Sequence, residues 1–188
     1  MLHIMNLEEI QRLLLRVPEL IDRLGERDPN FAGSVKEWLT QAERVLINNR
    51  LAVAAEVAVL RGVLISAELG VIPPGMAFSK RTTMRKIRDG SAADVLRKAE
   101  ELISSAIRAD AMRFAEGEKL TQQILAVAQR KGLIPANPSR DKHAERLQAI
   151  WQAMIMDPDL GAATTHLAGL LGAYDVLILL DRMLPTPA

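Results

Sequence analysis

Apolar residues recur along this chain three and four positions apart rather than two. In the stretch from Ala99 to Val127 they fall at Ala99, Ile103 and Ala106, and again at Leu120, Ile124 and Val127. That is the spacing of one face of an α-helix. No sustained apolar–polar alternation occurs, and the dipeptide Asp89-Gly90 leads into a helical pattern rather than closing a hairpin. The pattern predicts an all-α fold.

Glycine and proline punctuate it. Gly25 precedes Pro29, Gly70 precedes Pro73-Pro74, and Gly132 precedes Pro135 and Pro138. A glycine in a left-handed conformation with a proline shortly after is a helix stop. Arg23, Arg130 and Lys131 fall in last turns, where cations complement the helix dipole. Asn6, Ser34 and Ser91 each stand three residues before an acid, the spacing of a capping box, and Asn137-Pro138 and Asp157-Pro158 read as caps followed by a first-turn proline.

These signals predict helices near 7–24, 35–69, 92–131, 138–156 and 158–184. The first should kink or split at Pro18, and the second has a candidate break at Asn48-Asn49. If continuous, the second and third would run ~50 and ~60 Å at 1.5 Å per residue. The expected architecture is a single-domain bundle over 1–188, of five or six helices, built on a long antiparallel helical hairpin. A subdivision into a hairpin core (1–133) and a C-terminal two-helix unit (138–188) would use Gly132–Ser139 as its joint.

Composition sharpens this picture. Of the 188 residues, 49% are hydrophobic but only 3% aromatic, so Leu, Ile, Val, Met and Ala must fill the core. Cysteine is absent, which excludes disulfides and thiolate metal sites and fits a reducing, cytoplasmic setting. The N-terminus lacks a basic region followed by an apolar run, so no signal peptide is expected. The most apolar stretches, Leu51–Ala67 and Leu167–Leu180, are interrupted by Glu56, Arg61 and Asp175, so they read as core helices rather than membrane spans.

Charge is near balance, with a formal net of +1, but it is not evenly spread. Lys80–Lys98 holds seven cations against Asp89 and Asp94. Lys80, Arg81, Arg85, Lys86 and Arg88 form a candidate nucleic-acid or anion site, helped by the free N–H groups of a helix expected to start at Ser91. The competing reading is a solvated connector, with Met84 and Ile87 packing one side of a short helical turn onto the body. Phe78 is the one nearby aromatic, so base stacking has little support.

Three other features carry candidate chemistry. Asp110, Arg113 and Gly117 fall where the Ala99–Val127 stripe should be apolar, which with Glu56 suggests a buried polar cluster, either a salt bridge or an acid–base site. The last helix combines small residues (Gly169, Gly172) with Leu170 and Leu177, and with Trp151 it is the candidate interface. Residues 122–147 match a DNA-reading helix-turn-helix poorly, because Pro135 and Pro138 fall where its second helix should run. His3, His143 and His166 lie far apart in patterns that hold no metal, and His166 on an apolar helix reads as a core histidine. Neither a nucleophile elbow nor a phosphate loop occurs. The sequence therefore predicts a module without catalytic residues, metal or cofactor, acting through self-association or a protein partner. A nucleic-acid-binding accessory protein and an acid–base enzyme are the alternatives.

Overall fold

The computed structural model describes residues 1–71, 83–134 and 143–184, and among them it holds eight α-helices and no strand. The chain divides into two compact units, Met1–Arg108 and Ala109–Ala188. The division falls inside a helix, and most of the candidate joint at 132–139 lies outside the described residues.

In the first unit, α1 (Ile4–Leu14) buries Ile4, Leu7, Ile10 and Leu13 along one face. Pro18 does split the first predicted helix: α2 (Val17–Gly25) begins one residue before it, so the missing N–H falls in a first turn that needs none. Its left-handed terminator is Arg27, with φ +57°, rather than Gly25. The next helix, α3 (Phe31–Asn48), buries nine residues, among them Trp38, whose indole N–H donates to the Leu13 carbonyl at 2.9 Å in the last turn of α1.

The predicted helix 35–69 is two helices. It breaks after Asn48, Arg50 takes φ +55°, and α4 (Val53–Glu68) turns back along α3. Lys36 pairs with Glu68 at 2.7 Å and Arg61 with Glu43 at 2.8 Å, the register of an antiparallel pair. The first arm expected of the long hairpin is thus itself a hairpin. Two capping expectations also fail. Asn6 and Ser34 sit inside α1 and α3, whose starts at Ile4 and Phe31 have no side-chain cap, because burial of Ile4 and Phe31 extends each helix toward its N-terminus.

The 47-residue α5 (Met84–Arg130) starts well before Ser91, which is fully buried in its interior. At 1.5 Å per residue it is ~70 Å long. Its buried stripe runs through Ile87, Ala92, Val95, Ala99, Ile103 and Ile107 in the first unit, then Phe114, Gly117, Thr121, Ile124 and Ala128 in the second. The stripe passes through Ile107 and Phe114, while Ala106 is exposed, so Asp110 and Arg113 flank it rather than interrupt it.

The second unit adds α6 (His143–Met156), α7 (Gly161–Leu171) and α8 (Ala173–Met183). Asp157 and Pro158 sit in the turn before α7, not in its first turn; the Asp157 carboxylate accepts the Asp159 N–H. Lys131, just past α5, pairs with Asp157 at 2.7 Å and with Asp159 at 2.5 Å. The chain bends by 112° between α7 and α8 at Gly172, whose φ of +85° suits glycine. No single helix among the described residues is long and apolar enough to cross a membrane; α7 and α8 reach that length and composition only as this bent pair. Gly117 lets Leu171 press against α5, since a Cβ there would stand 2.5 Å from a Leu171 methyl.

Two outcomes follow. Gly117→Ala should destabilise the second unit by about 1 kcal/mol, because crowding of buried Leu171 (about 1–3 kcal/mol) exceeds the gain in helix propensity. Gly62→Ala, in open space on α4, should stabilise by about 0.5–1 kcal/mol; urea melts of both variants decide the signs.

The hydrogen bond from Lys131 holds the Asp157 carboxyl below its ordinary value. A depressed carboxyl stabilises the fold above its ordinary value, and that contribution is lost as pH falls through the folded value. Urea midpoints at about pH 7 and about pH 3 should therefore differ less in Lys131→Met than in the parent.

Candidate functional site

Of the five basic residues singled out above, Lys80 and Arg81 lie outside the described residues. Arg85, Lys86 and Arg88 occupy the first two turns of α5, and the Thr83 hydroxyl accepts the Lys86 N–H at 3.4 Å. Arg85 donates to the Arg27 carbonyl at 2.6 Å and pairs with Asp89 at 3.4 Å. Arg88 donates to the Pro29 carbonyl at 3.1 Å and also faces Asp89. These contacts tie the start of α5 to the turn between α2 and α3.

Farther along, Lys98 pairs with Asp94 at 2.7 Å, and Arg97 reaches both Asp94 and Glu101. The hydrogen bond from Lys98, seconded by Arg97, holds the Asp94 carboxyl below its ordinary value. Among the described residues of the basic run, Arg85, Arg88, Arg97 and Lys98 each face a carboxylate of the same helix. The anion site expected at Ser91 is absent, since that residue stands in a helix interior and not at a helix start.

The polar cluster resolves into separate parts. Glu56 is exposed on α4 in the first unit, not buried. Asp110 and Arg113 belong to the second unit and pair at 2.8 Å. Arg113 also donates to the Leu170 carbonyl at 3.2 Å, and its guanidinium lies 4.7 Å from the centre of the Phe114 ring. Leu170 is in the last turn of α7, where carbonyls lack helical partners. Arg113 satisfies one of them and brings positive charge to the negative end of that dipole. This is a structural clamp between α5 and α7, and it explains an arginine beside the apolar stripe.

The interface candidates divide as well. Trp151 is buried in the core of the second unit. Gly169 is exposed, and Leu170, Gly172 and Leu177 are half-buried. Tyr174, which the sequence pattern did not single out, is 63% exposed. The bend at Gly172 decides this: it turns α8 so that Asp175, Val176 and Leu179 face inward and Tyr174 outward. His166 is exposed rather than in the core, because α7 turns Leu167 and Leu171 inward instead. His143 pairs with Asp181, joining α6 to α8. No group of three or more His, Asp or Glu among the described residues is placed to hold a metal ion.

Arg146 on α6 is a residue that sequence reasoning passes over. All three of its guanidinium nitrogens are buried without a hydrogen-bond partner among the described residues. Nothing in its sequence neighbourhood signals this, because what encloses a helix face is a tertiary property.

No protein-family model matches the chain, and neither does any curated protein or solved structure.

Burying unpaired donors costs about 1–3 kcal/mol. Arg146→Met, which keeps the aliphatic stem and removes the donors, should therefore raise the urea midpoint of the chain; an unchanged or lower midpoint would show that the guanidinium is satisfied in solution.

Proposed function

We propose that this chain is a non-catalytic helical assembly module that self-associates through the outer face of α7 and α8. The observation that carries the reading is the exposure of Tyr174 on α8, a helix that also carries half-buried Leu177, next in sequence to α7 with half-buried Leu170, two of the chain's most apolar helices. Exposed Gly169 adds to it: a Cβ there would meet nothing within 4 Å, so an approaching backbone could come close. Aromatic residues are favoured at interface centres, and a helix apolar on most sides gains from being covered. The occupant to which we commit is a second copy of the chain.

The same reading takes the fold as a helical bundle, on the support of a shallow pocket to which α4 contributes Leu60 and the first half of α5 contributes Lys98 and Leu102. A cytoplasmic setting belongs to the proposal as well, on the cysteine-free composition. Neutralisation of Arg85, Arg88, Arg97 and Lys98 by neighbouring groups favours it over a phosphate-backbone binder. The Asp110–Arg113 clamp favours it over an acid–base enzyme.

Light scattering on the chain at micromolar concentration should give a dimer mass or greater. Tyr174→Glu should shift it to the monomer with helical circular dichroism unchanged. A monomer at every concentration, or an unaltered mass in Tyr174→Glu, would refute the proposal.

A further inference from the structure

The turn that follows α2 and the start of α5 enclose a cavity of about 400 Å³, within the range of small-molecule sites. Leu24 and Phe31 give it an apolar wall, and Arg27, Thr83, Arg85 and Lys86 supply its donors. Two carboxylates, Asp28 and Asp89, also line it.

The partners of these groups decide the character of the cavity. Asp28 accepts the Asn30 N–H at 2.8 Å and lies 3.9 Å from Arg23. Asp89 is shared between Arg85 and Arg88. Asp28 and one oxygen of Asp89 are thus engaged with groups of the protein, while the other Asp89 oxygen is buried without a hydrogen-bond partner among the described residues. The guanidinium of Arg27 and the ammonium of Lys86, by contrast, have no carboxylate partner among the described residues, though they come from segments 59 positions apart in sequence. Arg85 bonds the Arg27 carbonyl at 2.6 Å and so fixes that residue beside the helix start. The Thr83 oxygen accepts from the Lys86 N–H, which leaves its own O–H to donate.

We infer that this cavity binds the phosphoryl group of a small phosphate monoester. Two cations without a carboxylate partner among the described residues, a partly engaged guanidinium and a hydroxyl line one cavity, which suits a group with three acceptor oxygens better than a carboxylate with two. The wall of Leu24 and Phe31 suits an organic body attached to it. A polyanion fits less well, since it needs an extended row of free cations, and the arginines beyond Lys86 are held by Asp89, Asp94, Glu101 and the Pro29 carbonyl. This inference does not rest on the self-association proposed above, and either can fail alone.

The test is calorimetry of the full chain with phenyl phosphate, inorganic phosphate and a short DNA duplex. Phenyl phosphate should bind with a Kd of about 1 mM or tighter. Arg27→Ala and Lys86→Gln should each weaken it about tenfold, the loss of one charge-assisted contact, while Arg12→Ala on α1 leaves it unchanged. Both replaced side chains are exposed, and circular dichroism checks that the variants remain folded. Tighter binding of phenyl phosphate than of inorganic phosphate assigns the site to an organic ester; equal binding assigns it to the free anion, and either result supports phosphoryl recognition. The inference is overturned by no binding of either phosphate, by equal weakening in Arg12→Ala, or by binding of the duplex alone.

Discussion

One apolar stripe on one helix is the constraint on which the rest depends. From Ile87 to Ile107, and again from Phe114 to Ala128, the inward positions of α5 recur every three or four residues, with no buried residue between the two runs. Each of the two compact units takes part of its core from that helix. With so few aromatics, the neighbours that cover the stripe are mostly aliphatic. Burial of that kind scales with apolar area removed from water, so close approach matters more than any single large side chain. Gly117 against Leu171 marks where this is most stringent. Trp38, fully buried and bonded to the Leu13 carbonyl, is one of the few aromatic anchors, with Phe31, Phe114 and Trp151.

The start of α5 has electrostatic consequences. Because α5 begins at Met84 rather than near Ser91, residues that look like a charged connector become turns of a helix. On a helix, side chains three and four apart are neighbours, so Arg85 meets Asp89, and Arg97 and Lys98 meet Asp94. Lys86 has no such carboxylate partner among the described residues, and it lines one cavity with Arg27 from a distant turn.

Polar groups beside the core follow the same logic of satisfaction. Arg113 stays near the apolar stripe because Asp110, Phe114 and the end of α7 each compensate part of its desolvation. Arg146 has no such compensation among the described residues, all three of its guanidinium nitrogens being buried and unpartnered there.

The sequence by itself determined the helical class, the split at Pro18, the break near Asn48-Asn49, and the glycine stops at Gly70 and Gly132, both left-handed. Those features are local: a missing N–H, a tolerated positive φ, a three-to-four spacing. Tertiary structure alone decided where α1, α3 and α5 begin, because burial of Ile4, Phe31 and Ser91 overrides the capping signals of Asn6, Ser34 and Ser91. It also decided that Trp151 is core and Tyr174 surface, that Glu56 is exposed, and that Arg27 meets the start of α5. A pattern along one chain specifies which face of a helix is apolar; what covers that face, and which distant charges share a cavity, depends on contacts between segments that sequence spacing does not encode.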